Sequence, residues 1–381
     1  MKRFIINNLK NIPGWRTNRK IVVFESDDWG GVRMSSKETF LNLLNSGIRV
    51  DLCAYNRLDK LESNEDYEAL YDVLNRYIDY KGSHPKLTLN FNLVNPDFDR
   101  IKKDNFGSYH YVPFTQSLNE YYPKSNTFQY LTDGITQGLV YPQYHHREHV
   151  NPVLWLELLQ KKVKPINTAF EHRVYGLSYI TSSEIDVPYL ASLLYRNEEE
   201  ANIISEAIMD GARLFKAIFG WKPESFIAPL NTWPDEMESV IYETGVRFLQ
   251  GGNVHKWFDF KKGRFTRKYH FLGRVNDEGI TYMHRNCQFE PSVFGKSFDM
   301  GRVITEIESA FFWSKPAVIC THRLNYIGGL DETNRKQNLD YLNVLLKVIM
   351  KRWPDVEFMH SAQLGSLMNK CEHERLDHQI P

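Results

Sequence analysis

Short β-branched runs alternate with helical periodicity from residue 20 almost to the end of the chain. That alternation narrows the fold most, because strand, helix and strand in succession lay the strands parallel in one sheet. The clearest unit closes the sequence. Ala317-Val318-Ile319-Cys320 reads as a strand, 321–329 as a loop, 332–353 as a helix and Val356-Glu357-Phe358-Met359 as the last strand. At the other end, Lys20-Ile21-Val22-Val23-Phe24 reads as a strand that stops at Glu25-Ser26-Asp27-Asp28-Trp29-Gly30-Gly31. Helical spacing follows at 36–47, where Phe40, Leu43 and Leu44 share a face and Gly47 suits a C-terminal cap. Further helices are expected at 64–80, 151–162, 198–220 and 234–244, and further strands at 86–93, 225–228, 246–249 and 280–284. The stretch 96–140, rich in Tyr, Phe, Asn and Pro, reads as a long excursion of the kind that forms a functional loop or a lid over a site.

No internal repeat appears, and no linker rich in Gly, Ser or Pro divides the chain. The simplest architecture is therefore one α/β domain at 20–368, a parallel (β/α) barrel with insertions near 96–140 and 163–197. An N-terminal extension at 1–19 and a C-terminal tail at 369–381 flank it. Lys plus Arg (47) balances Asp plus Glu (47), so no global field draws the molecule to nucleic acid or to an anionic membrane. The first twenty residues are too polar for a signal peptide, no window reaches membrane-spanning length, and a cytoplasmic protein is expected. Cys53, Cys287, Cys320 and Cys371 are scattered without Cys-x-x-Cys spacing, as suits reduced thiols. The sequence carries no mark of oligomeric state.

In parallel β/α folds the chemistry sits at the carboxyl ends of the strands. Asp27 and Asp28 follow the first strand, and two adjacent carboxylates repel unless a cation or a proton separates them. Either a metal lies between them, or one caps the next helix while the other is solvated. His145 and His149 are four apart, so on a helical turn both rings would leave one face and could share a zinc-sized ion, with His146 pointing away. The alternative is a hydrated surface turn. His322 ends the strand at 317–320, where an imidazole serves as a general acid or as a structural hydrogen bonder. Trp29 and Trp233, beside these positions, either stack on a sugar face or pack at the rim. Arg285, Asn286 and Glu290 form a polar group after a strand and are candidates for substrate contacts.

Taken in order, these elements resemble the polysaccharide deacetylase family, the NodB-like carbohydrate esterases, over about residues 20–367. Ser26-Asp27-Asp28-Trp29-Gly30 resembles the family's Thr-Phe-Asp-Asp-Gly, His145-His146-Arg147-Glu148-His149 its His-Ser/Thr-x-x-His, and Phe226-Ile227-Ala228-Pro229-Leu230-Asn231 its Arg-x-Pro-Tyr-Gly. Ile319-Cys320-Thr321-His322 resembles the Leu-Leu-His strand end, and 358–364 the last strand and helix start. The resemblance implies a distorted, seven-stranded (β/α) barrel. It implies Asp27 as base, Asp28, His145 and His149 as ligands to a divalent metal, Leu230 as an oxyanion donor through its amide, and His322 as acid. Zinc suits two imidazoles and a carboxylate, and cobalt, nickel or manganese would also bind. The implied activity is removal of acetyl groups from a sugar or polysaccharide, N-acetyl before O-acetyl. Two departures stand out. Ile227 replaces the arginine that orients the catalytic aspartate, and Asn231 replaces the glycine. Arg285 or Arg323, each at an expected strand end, is positioned to supply the missing guanidinium, and Arg323 is a further candidate for the substrate. Rival readings are a glycoside hydrolase using two of Glu25, Asp27 and Asp28, and a carbohydrate-binding protein without activity.

Overall fold

The computed structural model describes residues 7–377, with side chains as far as residue 370, so Cys371 lies outside the described side chains. Its strands are β1 (Lys20–Trp29), β2 (Leu87–Phe91), β3 (Val94–Pro96), β4 (Tyr111–Pro113), β5 (Val140–Tyr144), β6 (Ser225–Phe226), β7 (Phe248–Leu249), β8 (Val254–Asp259), β9 (Arg264–Tyr269), β10 (Thr281–Tyr282), β11 (Cys287–Gln288), β12 (Ala317–His322) and β13 (Val356–Met359). The main sheet is parallel and runs β10-β7-β6-β5-β2-β1-β12-β11, with β13 paired to the first half of β1. Helices surround it, giving a distorted (β/α) barrel with inserted segments. Eight strands follow this path, one more than the resemblance implies. β10 and β11, at its two ends, do not pair with each other among the described residues, and residues 283–286 span the opening between them.

β1 is central because its sequence suits burial on both faces. Val22 and Phe24 join Leu87, Leu89, Phe91 and Ile319 in the larger core cluster. Ile21 and Val23, on the alternate face, pack with Val318, Phe248, Met283 and Leu364. Glu25 and Asp27 continue the Ile21–Val23 register, so this face turns from apolar to acidic toward its carboxyl end. The C-terminal helix Ser361–Asp377 carries Leu364 and Met368 into that cluster and runs beyond residue 368, where a tail was expected.

The excursion at 96–140 is not a lid. The short β3–β4 ladder and the helices Phe98–Lys103, Phe114–Tyr121 and Thr127–Thr136 put Phe98, Ile101, Phe114, Leu118 and Leu131 into the core. Its aromatic content is thereby used in packing. No helix among the described residues is long and apolar enough to cross a membrane.

Candidate active site

β1 does not stop at Glu25. It continues to Trp29, and its pairing with β2 shifts register between Ser26 and Trp29. Adjacent residues of a regular strand face opposite ways, but Asp28 adopts φ +73°, and this turn lets Asp27 and Asp28 both line one cavity of about 840 Å³. Neither caps the next helix, Lys37–Asn45, whose cap is the Ser36 side chain.

His145 follows β5 directly. Residues 145–149 form a loop rather than the expected helical turn, and His146 at φ +73° redirects the chain so that His149 returns to the same point. His146 itself is buried, with Nδ1 against the Glu148 carbonyl. His145 Nε2 and His149 Nε2 each stand 3.3 Å from Asp28 Oδ1, and donor atoms of all three residues lie within 4.8 Å of one another. His145 Nδ1 lies 2.8 Å from the Ile227 carbonyl, which assigns its proton there and leaves Nε2 as a lone pair facing Asp28. His149 Nδ1 has no partner. Burial, then Arg33, keeps His149 neutral by lowering it to about 4. Two imidazoles and one ionised carboxylate, converging in a buried place, are a donor set that fits a divalent ion of the zinc class.

Asp27 belongs to a second set of contacts. Burial alone would raise its pKa, but Arg285 outweighs burial and holds it at about 2. The guanidinium donates from Nη1 to Asp27 Oδ2 at 2.6 Å and from Nη2 to Oδ1 at 2.7 Å. Its Nε reaches Glu25 Oε2 at 2.7 Å, and Asn90 Nδ2 adds a bond to Asp27 Oδ1. Of the two arginines expected to offer a guanidinium, Arg285 is thus the one that meets Asp27, and the Ile227 side chain is buried. Arg323 does not meet Asp27. It is fully buried away from the cavity, donating to Asp59, Glu62 and the Gly31 carbonyl, so it neither orients Asp27 nor meets a substrate.

His322 closes the site from β12. Its Nε2 is 3.8 Å from Asp27 Oδ2 and its Nδ1 is 2.5 Å from Glu290 Oε1. Burial pulls this imidazole toward neutrality, but Glu290, then Asp27 and Asp28, outweigh it and raise the pKa to about 9. Glu290 is therefore the partner of His322 rather than a substrate contact. Cys320 also lines the cavity, but burial raises its thiol to about 12, so it is no nucleophile.

Leu230 lies on the cavity wall with φ +56°, its side chain exposed just after Pro229. Much of the remaining wall comes from 176–190, inside the inserted stretch at 163–197, and from Phe265 at the start of β9. The two tryptophans are not in the cavity. Trp29 is buried, stacks on Tyr67 and donates to Ser26 Oγ; Trp233 is buried, stacks on His255 and donates to Glu238. Packing claims both rings. Asn286 borders the cavity, but its amide is consumed by Asn11, the Pro316 carbonyl and the Val318 N–H, which makes it a brace between segments. Arg33, Asn90 and Gln250, which sequence reasoning did not single out, complete the polar contacts around the two aspartates.

No protein-family model matches the chain, and no curated protein matches it in sequence. Solved structures similar to it include a 4-alpha-glucanotransferase from Thermococcus litoralis, at 12% identity and TM-score 0.46, covering 91% of this chain and 40% of that one. This chain therefore spans less than half of that protein's length. A putative polysaccharide deacetylase from Mycobacterium smegmatis is 9% identical with TM-score 0.42, covering 94% of each chain. A peptidoglycan deacetylase from Bacillus subtilis is 12% identical with TM-score 0.39, covering 96% of this chain and 98% of its own.

Proposed function

We propose that this protein is a metal-dependent hydrolase that removes acetyl groups from a sugar or polysaccharide, N-acetyl in preference to O-acetyl. One observation carries the reading: an ionised Asp27 held by Arg285 and a protonated His322 held by Glu290 flank the same Asp28–His145–His149 cluster in one cavity. Carboxylate and imidazolium are thereby prepared as an acid–base pair.

Asp28, His145 and His149 would hold the ion. A divalent ion there supplies Lewis-acid chemistry, polarising the acyl carbonyl and bringing the pKa of water toward ~7. Asp27, kept ionised and clamped through both oxygens, accepts the proton of the attacking water. The Leu230 amide, on the cavity wall after Pro229, donates to the oxyanion that develops on the carbonyl, a contact worth about 3 kcal/mol in comparable sites. His322, 3.8 Å from Asp27, then delivers its proton to the departing amine. An amine leaving group needs such a proton more than an alcohol does, which is why N-acetyl is preferred.

The two rival readings have less support. Glu25 is fully buried and shares Arg285 with Asp27, so the two do not face each other across a space for a glycosidic bond. A site without activity was prompted by Ile227, but Arg285 fills that vacancy. The test is metal content and acetate release, measured together on N-acetylated and O-acetylated saccharides. Wild type is expected to show both, Asp28→Ala and His149→Ala to lose both, and Arg285→Ala to lose turnover while keeping the metal. Metal without acetate release across the panel, or no metal-dependent turnover, would sink the proposal.

A further inference from the structure

A second convergence of metal-binding side chains lies outside the cavity, beneath the β8–β9 hairpin. His255 on β8 and His270, which follows β9, are brought together by the antiparallel ladder that pairs Val254 with Tyr269 and His255 with Lys268. Both rings are buried, His255 between Trp233 and Trp257, and His270 against Tyr282. His255 Nε2 lies 2.7 Å from the Trp233 carbonyl, which assigns its proton there and leaves Nδ1 as a lone pair. That Nδ1 faces His270 Nε2 at 3.2 Å. Two imidazole nitrogens bound to one tetrahedral zinc at 2.0–2.1 Å stand about 3.3 Å apart.

Carboxylates complete the set. Asp235 Oδ1 is 3.8 Å from His255 Nδ1, buried, and without a hydrogen-bond partner. Glu238 is buried and offers a donor atom within 4.8 Å of both imidazoles. Its carboxylate is met by Trp233 Nε1–H, the Asn276 amide and the Tyr282 hydroxyl, all neutral, with no ion pair among the described residues. Lys268 is committed to Asp235 Oδ2 at 3.0 Å. A buried carboxylate without a counter-charge is costly, and a cation relieves that cost.

We propose that His255, His270, Asp235 and Glu238 form a second, structural site for a divalent ion of the zinc class, which clamps the β8–β9 hairpin to the start of the helix Met237–Glu243. His255, His270 and Glu238 are closed in by Trp233, Trp257 and Tyr282, with Asp235 reaching them from the half-exposed edge, as befits a structural rather than a catalytic ion. Because the hairpin supplies Phe265 to the cavity, the clamp also holds part of the substrate wall.

Zinc content of the full chain, dialysed against zinc and then against buffer, tests this independently of catalysis. Wild type is expected to hold two equivalents, Asp28→Ala one, and Asp28→Ala/His270→Gln none. If Asp28→Ala holds no zinc, or if its single equivalent persists in the double variant, the second site is refuted, whatever the first site does. A readout that needs no second substitution is the melting temperature of Asp28→Ala with and without chelator. Chelation is expected to lower it, and an unchanged value would equally overturn the site.

Discussion

Glu290→Gln isolates the acid half of the proposed mechanism. The Glu290 carboxylate meets His322 Nδ1 at 2.5 Å, and it is the leading influence that keeps a buried imidazole protonated up to about 9. Glutamine keeps the shape and an oxygen to accept the Nδ1–H, but it removes the charge. Burial is then opposed only by Asp27 and Asp28, and His322 is expected to fall toward its ordinary 6.5. The change from about 9 to 6.5 corresponds to about 3 kcal/mol of proton-binding free energy. A proton donor must be protonated to work, so activity is lost as pH rises through the pKa of His322. In kcat/KM for acetate release, the alkaline limb is therefore expected near 9 in wild type and near 6.5 in the variant. At pH 8 the protonated fraction drops from about nine-tenths to about one in thirty, so roughly a 30-fold loss is expected, shrinking as the pH is lowered to 5.5. Both proteins are assayed with the same divalent ion, whose charge displaces both limbs in the same direction. An alkaline limb that stays in place, or a loss equal at every pH, would refute the charge argument, the second outcome marking a defect of orientation.

Two further predictions concern stability. Arg323→Met strands two buried carboxylates, Asp59 and Glu62, that the guanidinium now pairs, and is expected to destabilise the protein by about 3–5 kcal/mol in urea unfolding; a loss below about 1 kcal/mol would contradict the buried-pair account. His360 stacks on Tyr141 at 3.8 Å, and burial lowers its pKa to about 3, against 6.5 in the unfolded chain. Between those values the unfolded state binds the extra proton, so stability falls as pH drops from 6.5 toward 3. His360→Phe keeps the stack and is expected to reduce that slope by up to about 1.4 kcal/mol per pH unit, and an unchanged slope would refute the assignment.

The parts of the site legible in the sequence are those delivered by long strands. Asp27, Asp28, His145 and His322 each follow an apolar run, and the carboxyl end of a parallel strand is where such side chains collect. The spacing of His145 and His149 pointed to two side chains that do converge on Asp28, but not by the route expected. A helix was expected to align them, whereas the positive φ of His146 does so in a loop. Aromatic residues misled in the opposite sense. Trp29 and Trp233 neighbour the motifs in sequence, yet a large ring gains most from burial and both turn into the core. The β8–β9 hairpin escaped notice although Gly263, at φ +60°, marks its turn. Its strands carry Lys256, Lys268 and Arg267 among apolar residues, and that mixture blurs the period of two.

The sequence offered Arg285 and Arg323 alike as the guanidinium and Glu290 only as a substrate contact; it could not choose Arg285 for Asp27 or pair Glu290 with His322. Arg285 and Glu290 both come from the irregular stretch after β10, where two-residue strands leave no periodicity to follow. The same shortness explains their use. With the barrel path open between β10 and β11, the backbone there is not bound into a long ladder, and its side chains can reach inward to Asp27 on β1 and to His322 on β12. One segment then holds both Asp27 and His322. Ile227 is free to be apolar because its backbone carbonyl, rather than its side chain, performs the local task of holding His145 Nδ1. On the proposed reading, what Asp27 needs is a guanidinium against both its oxygens, and Arg285 supplies that whichever strand end it comes from, so an apolar residue at 227 is a weaker argument against catalysis than the geometry around Asp27 is for it.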